Sequence, residues 1–135
     1  MIAICNEKSR DIDIPVHEHG RTFRLLNPSR KWINKVAVDT CYITTGLRCD
    51  YLFEVEQQKV YYVELKGKNI EHAVKQLRTT MNYCKSEHAA CPKECHIVAS
   101  RVPKMSTSIQ KSKKEFKQKY AAALYVHTKE KIITV

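Results

Sequence analysis

Two β-rich runs separated by three polar residues constrain the fold of this chain more than any other feature. The runs extend from Cys49 to Val55 and from Lys59 to Gly67, and the residues between them are Glu56-Gln57-Gln58. Aromatic and β-branched residues favour strands, and a short polar interruption favours a turn. The pattern therefore predicts a β-hairpin in the middle of the chain.

A strand is expected before this hairpin and a helix after it. The apolar residues between Ile33 and Ile43 predict the strand, which is closed by a turn at Thr44-Thr45-Gly46. Asn69 is suited to cap the helix. On one face of that helix, apolar residues recur at three- and four-residue steps: Ile70, Ala73, Val74, Leu77, Met81 and Cys84.

The C-terminal part alternates between strand and helix. The run from Cys95 to Val102 predicts a short buried strand. Ser106 or Ser108 can cap a second helix that extends to about Ala123, and the tail after it predicts one or two short closing strands. The order β-β-β-α-β-α-β is typical of an α/β domain with a mixed sheet flanked by helices.

The length of 135 residues favours a single domain. We divide it into an irregular N-terminal part (1–32), a core with the hairpin and first helix (33–102), and a basic helix with closing strands (103–135). No apolar run approaches the roughly 20 residues of a membrane span. The first residues do not resemble an export signal, so we expect a cytoplasmic protein without membrane contact.

The chain carries a formal net charge of +10, concentrated towards its C-terminus. From Arg101 onward there are nine Lys and Arg residues against two glutamates. This excess favours a polyanionic partner such as nucleic acid, although a lysine-rich helix can also serve only as a solubilising surface. The residues expected to contact phosphates are Arg101, Lys111, Lys114 and Lys117.

The six cysteines permit two interpretations. Because no export signal is visible, we expect reduced thiols, with Cys41 and Cys49 acting as small core residues. A zinc site at Cys84, Cys91, Cys95 and His96 is the alternative, with His88 close by in the sequence. It is the less favoured one, because the C-x2-C pairs of common zinc modules are missing.

Two acids and a lysine fall on the two strands of the hairpin. Glu64 and Lys66 point to the same face of their strand, about 7 Å apart. For Asp50 to join them, even-numbered residues must face even-numbered residues across the hairpin. We therefore predict either a loop with an odd number of residues or a one-residue bulge around Glu56 to Lys59.

Such a set can cut phosphodiester bonds. Two converging carboxylates form a hard-oxygen site suited to Mg²⁺, which activates water and binds a phosphate. The ammonium of Lys66 can stabilise charge that develops on the phosphate. The competing interpretation is a simple surface ion pair. The apolar neighbours Val63 and Leu65 argue against it, because burying an unpaired acid is costly.

The spacing of Asp50, Glu64 and Lys66, the hairpin and the following helix resemble the PD-(D/E)xK nuclease superfamily, which includes restriction enzymes and Holliday-junction resolvases. The resemblance covers Ile33 to Val102. It implies a restriction-endonuclease-like αβββαβ core, with Asp50 and Glu64 as ligands of Mg²⁺ or Mn²⁺, the Leu65 carbonyl as a further ligand, and Lys66 as the catalytic lysine. Gln76 would have a supporting role. The position before Asp50 holds a cysteine where the family motif has proline.

Relatives often add a glutamate from an N-terminal helix, for which Glu7 and Glu18 are weak candidates here. Asp39 can supply this carboxylate instead. The expected function is metal-dependent hydrolysis of nucleic acid, with DNA favoured over RNA as the substrate. The enzyme would act in restriction, defence, repair or recombination, and we expect it to be a homodimer. The alternative is a nucleic-acid-binding protein of the same fold without catalysis, with or without the Cys/His zinc site.

Overall fold

The computed structural model describes residues 5–39, 41, 48–56, 58–67, 69–101 and 106–135. The strands found there are β1 (Asn6–Ser9), β2 (Asp13–Glu18), β3 (Arg21–Leu26), β4 (Ile33–Ala37), β5 (Tyr51–Val55), β6 (Lys59–Lys66), β7 (Lys93–Ala99), β8 (Ala122–Thr128) and β9 (Glu130–Thr134). The helices are α1 (Ile70–Tyr83) and α2 (Thr107–Tyr120). The fold is therefore mixed α/β, as the sequence predicts.

The strands of the described residues form two sheets. The larger has six strands in the order β1-β4-β5-β6-β7-β8, and the smaller has three in the order β2-β3-β9. Strands β4, β5 and β6 are antiparallel neighbours. Strands β6, β7 and β8 run parallel to one another, with α1 and α2 as the intervening connections. The large sheet is therefore mixed, with its antiparallel and parallel halves meeting at β6.

Two apolar cores lie on opposite faces of the large sheet. On one face, α1 and α2 pack on the sheet through residues such as Leu77 and Phe116, which join a cluster containing Leu52 and Tyr62. On the other face, the small sheet contributes Ile14, Val16, Phe23 and Leu25 to a cluster containing Phe53, Val63 and Val98. The molecule thus has three layers, with the large sheet in the middle.

The prediction that residues 1–32 are irregular is wrong. Strand β1 forms an edge of the large sheet by pairing with β4, and β2 and β3 form a hairpin in the small sheet. The apolar side chains of this hairpin alternate with polar ones, and its turn places His19 and Gly20 at positive φ of 48° and 79°. This period-two pattern is short and contains Pro15, which an edge strand tolerates.

Both helices begin at the caps expected from the sequence. The side chain of Asn69 accepts a hydrogen bond from the backbone N–H of His72, and that of Ser106 accepts one from the N–H of Ile109. Helix α2 ends earlier than predicted, at Tyr120, because Ala121 adopts a left-handed conformation with φ 52°. The closing strands β8 and β9 follow, as the apolar tail predicts. No helix of the described chain is long and apolar enough to span a membrane.

The expectation of reduced thiols is wrong for one pair of cysteines. Cys5 and Cys41 form a disulfide, with their Cα atoms 5.7 Å apart. Antiparallel pairing of β1 with β4 brings the residue before β1 close to the segment after β4. The pairing joins positions separated by 36 residues, so no local pattern predicts it. Cys49, Cys84 and Cys95 are buried core thiols, which is the role expected for Cys49.

Candidate active site

The register of the hairpin brings the two acids together. Val55 pairs with Lys59, so the loop contains three residues, and Tyr51 pairs with Val63. The predicted odd-numbered loop is confirmed, and Asp50 comes at the position next to this last pair. Its Oδ2 accepts a hydrogen bond of 2.9 Å from the backbone N–H of Leu65. Asp50 is thus held beside the strand segment that carries Glu64.

Glu64 carries a buried carboxyl group, one oxygen of which has no hydrogen-bond partner among the described residues. Its side chain lies in the middle layer with 2% of the residue exposed, and within the described residues its Oε1 accepts no hydrogen bond. Burial raises the pKa of Glu64 to about 9, and the neighbouring charge of Asp50 adds to this rise, while Lys66 opposes it. Glu64 is therefore protonated at neutral pH as long as no cation lies beside it.

Asp50 has a smaller shift for a related reason. Burial raises its pKa to about 6, partly offset by the hydrogen bond from Leu65, and the negative charges of Glu18 and Asp39 raise it further. The charge of Asp50 raises the pKa of Glu64, whereas a hydrogen bond with Glu64 lowers the pKa of Asp50, so the two groups titrate as a coupled pair. A divalent cation would relieve both burial and repulsion.

The small sheet adds a third acid to this environment. Glu18, the last residue of β2, raises the pKa of both Asp50 and Glu64 through its charge. Glu7 lies elsewhere, on edge strand β1, where it pairs with Lys35 at 3.5 Å. Of the two weak N-terminal candidates, Glu18 is the one near the site. This proximity depends on how the β2–β3 hairpin packs in the tertiary structure, so the sequence alone does not predict it.

Asp39 is near the site but already has a partner. Its Oδ1 accepts a hydrogen bond of 2.7 Å from Nε of Arg48. The backbone N–H groups of Val38 and Asp39 both approach the carbonyl of Asp50, at 3.0 and 3.5 Å. The segment after β4 therefore positions Asp50, and the carboxylate of Asp39 is engaged in an ion pair.

Lys66 lies at the carboxyl end of β6, on the same side of the strand as Glu64. Parallel β-sheets commonly bind ligands outside this edge. Here the edge also receives Arg21, whose Nη1 donates a 2.8 Å hydrogen bond to Oγ of Ser100, just after β7. Arg101 follows and is exposed. The edge thus combines the buried acids with basic side chains from three parts of the chain.

Gln76 on α1 supports the segment that precedes Asp50. Its Nε2 donates a 3.0 Å hydrogen bond to the carbonyl of Arg48, while its buried Oε1 has no hydrogen-bond partner in the described part of the chain. One turn later, the Thr80 hydroxyl accepts a 2.8 Å hydrogen bond from the N–H of Cys49. Helix α1 therefore fixes the backbone that leads to Asp50.

The three lysines expected to contact phosphates are exposed on α2. Lys111, Lys114 and Lys117 face solvent, whereas Ile109 and Phe116 face the core. A two-bond contact between Arg78 and Glu115, at 3.0 and 2.7 Å, fixes α2 against α1. The basic side chains thus form a continuous exposed face on an anchored helix.

The structure does not bring the cysteines and His96 of the alternative zinc site together. Cys95 and His96 are neighbours on β7, and strand side chains alternate between faces. Cys95 packs in the core beneath the helices. His96 lies on the opposite face, with hydrogen bonds of 2.9 Å to both His127 and Glu94. The spacing of these residues along the sequence could not predict this separation, because it follows from the alternation of side chains along β7.

Among the described residues, one group of three His, Cys, Asp or Glu side chains brings its ligand atoms within 4.8 Å of one another, namely Glu54, Glu87 and His88. Glu54 lies on the hairpin beyond Asp50, whereas Glu87 and His88 lie between α1 and β7. The acids at Asp50 and Glu64 contribute a pair of carboxylates to their site. An all-oxygen donor set with an unpartnered buried carboxyl oxygen fits Mg²⁺ or Mn²⁺.

No family model, no curated protein and no solved structure matches this chain.

Proposed function

We propose that this chain is a metal-dependent nuclease of the PD-(D/E)xK type. The observation that carries the proposal is the burial of Glu64 opposite Asp50, with its Oε1 unpartnered in the described structure and Lys66 on the same face of β6. Leaving a buried acid unsatisfied costs free energy. A cation bound beside Glu64 would offset that cost.

In this proposal Asp50 and Glu64 hold Mg²⁺ or Mn²⁺, with the Leu65 carbonyl as a further ligand. The metal, when bound, polarises the scissile phosphate and lowers the pKa of water. Glu64 gives up the proton that it keeps in the metal-free state. Lys66 holds its positive charge at the open edge of the sheet, where it stabilises charge developing on the phosphate. Gln76 positions the backbone before Asp50.

The topology supports a restriction-endonuclease-like core. Strands β4, β5 and β6 form an antiparallel meander, and α1 connects β6 to the parallel strand β7. This order agrees with the β-β-β-α-β portion of the core that the resemblance implies. The element before it differs, because strands β1 to β3 occupy the place where relatives carry a helix.

We propose DNA as the substrate, bound mainly through phosphates. The net charge of +10 and the exposed lysines of α2 favour contacts to a polyanion, while sequence reading requires side chains placed in a groove. A homodimer is the simplest way to cut two strands symmetrically. Light scattering with and without DNA tests this assembly, and a monomer that binds DNA one to one would favour nicking instead.

The function itself is tested with plasmid, linear duplex, single-stranded and four-way-junction DNA, each incubated with Mg²⁺, Mn²⁺ or EDTA. Cleavage is expected with either metal and not with EDTA, and Asp50→Asn is the inactive control. Tight binding of all four DNAs without cleavage would contradict the enzyme and favour a nucleic-acid-binding protein. The exposed basic face of α2 is the feature that such a protein would retain.

A further inference from the structure

A second group of ligand-type side chains lies where the hairpin meets the connection after α1, away from Lys66. Glu54 projects from β5, and Glu87 and His88 lie in the connection between α1 and β7. One ligand atom from each lies within 4.8 Å of the other two. His88 is 2% exposed, whereas Glu87 is at the surface. The group therefore has a buried nitrogen donor and an opening to solvent.

Hydrogen bonds fix the His88 ring in place. Its Nδ1 lies 2.6 Å from the hydroxyl of Tyr62, and its Nε2 lies 2.6 Å from Oε2 of Glu54. Burial raises the pKa of Tyr62, so this hydroxyl stays protonated. A tyrosine hydroxyl can donate or accept a hydrogen bond. Tyr62 can therefore serve either tautomer of His88, including the one whose Nε2 lone pair is available to a metal.

Hydrogen bonds orient both oxygens of the Glu54 carboxylate. The Asn34 bond, 2.7 Å long, goes to Oε1, whereas His88 contacts Oε2. The two oxygens thus have separate partners, and Oε2 is the one directed towards the histidine.

We propose that Glu54, Glu87 and His88 form a binding site for Zn²⁺. A neutral imidazole nitrogen with two carboxylate oxygens suits this borderline ion better than Mg²⁺. The ligand atoms lie within 4.8 Å of one another, so small side-chain movements bring them to bonds of about 2.0–2.2 Å with one ion. Tyr62 orients the ring from the side away from the metal, as partners of metal-bound histidines usually do.

The site would join the connection after α1 to the central hairpin. Glu54 lies four residues from Asp50 along the strand, or roughly 13 Å. Zinc there is too distant to act on a phosphate at Lys66. Its effect is to stabilise the segment that carries Glu87 and His88 against β5.

Zinc binding is measured by calorimetry on the full chain carrying Asp50→Asn and Glu64→Gln, which removes the other acid pair. One equivalent of Zn²⁺ is expected to bind and to raise the melting temperature. Co²⁺, used as a spectroscopic probe, should give visible absorption bands of a nitrogen- and oxygen-bound ion. Absence of Zn²⁺ binding by this folded protein would overturn the proposal.

Three variants and one control locate the ion within the chain. Glu87→Gln changes an exposed residue and should weaken Zn²⁺ binding at least about tenfold, whereas the control Glu130→Gln, also at an exposed residue, should not. Cys91→Ser should leave the affinity unchanged. Loss of binding in Cys91→Ser with full binding in Glu87→Gln would overturn the assignment and return zinc to the cysteines. His88→Gln should abolish binding, and Glu87→Gln keeps the proposal testable if that variant does not fold.

Discussion

Glu64 and Glu54 lie on one face of the same hairpin, but neighbouring groups stabilise their charged forms to different extents. Near the open edge, Glu64 is buried, its Oε1 lacks a partner among the described residues, and its pKa is raised to about 9. Further along β5, Glu54 accepts hydrogen bonds from His88 and Asn34, and its pKa is lowered. The protein stabilises the Glu54 carboxylate with hydrogen bonds from two of its own side chains, whereas in the described structure it leaves Oε1 of Glu64 without one.

The ionised carboxylate of Glu54 therefore stabilises the folded protein, whereas ionisation of Glu64 would destabilise it. Unsatisfied buried groups are expected to concentrate at functional sites, where ligands complete them. A metal that binds at Asp50 and Glu64 must therefore displace the proton of Glu64 as it binds. At Glu54 the carboxylate is already ionised, so a metal displaces no proton from this acid.

The largest expected effect is on catalysis. Lys66→Ala should slow DNA cleavage by about two orders of magnitude or more, because the charge that stabilises the transition state is lost. Mg²⁺ affinity should stay the same or rise slightly, since a nearby positive charge disappears. Lys59→Ala is the matched control, because Lys59 lies at the other end of β6 and pairs with Glu94. Cleavage time courses and calorimetry measure the two effects, and full activity of Lys66→Ala would remove Lys66 from the mechanism.

The two glutamates should respond in opposite ways to neutralisation. For Glu64, the folded-state pKa lies above the unfolded one, so stability is lost as pH rises from about 4.5 towards 9. Glu64→Gln should therefore stabilise the metal-free protein by up to about 3 kcal/mol at pH 7. Glu54→Gln should destabilise it, since a lowered pKa contributes stability above the unfolded pKa.

Urea unfolding at pH 5, 7 and 8.5 in the presence of EDTA measures both glutamate effects. The gain from Glu64→Gln should grow with pH across this range. If both variants lost stability equally, the two carboxyl groups would have the same energetic role, and the contrast between them would fail.

A smaller effect is expected at the basic face of α2. Replacing Lys111, Lys114 and Lys117 with alanine should weaken DNA binding and lower the salt slope by up to about three. A control without Lys8, which is exposed on β1 at the opposite edge of the large sheet from β8, should change the slope less per charge removed. Gel shifts at several salt concentrations measure this. Equal slopes per charge would make α2 a solubilising surface only.

The parts of the fold that could be predicted from sequence are those determined by local patterns. Periodicity and caps predicted α1 and α2, and alternation of side chains predicted the odd-numbered loop that places Asp50 near Glu64. The small sheet, the Cys5–Cys41 disulfide and the approach of Glu18 depend on contacts between distant segments. The same is true of Glu54 and His88, whose hydrogen bond joins residues 34 positions apart.

The most direct test of the central claim is a calorimetric titration with Mg²⁺ at pH 7, in two buffers of different ionisation enthalpy. If Asp50 and Glu64 hold the metal, the wild-type protein should release about one proton on binding, since Glu64 is protonated beforehand. Glu64→Gln should bind more weakly and release almost none. Mg²⁺ binding of equal strength in both proteins, with no dependence on the buffer, would contradict the assignment of this acid pair as the metal site.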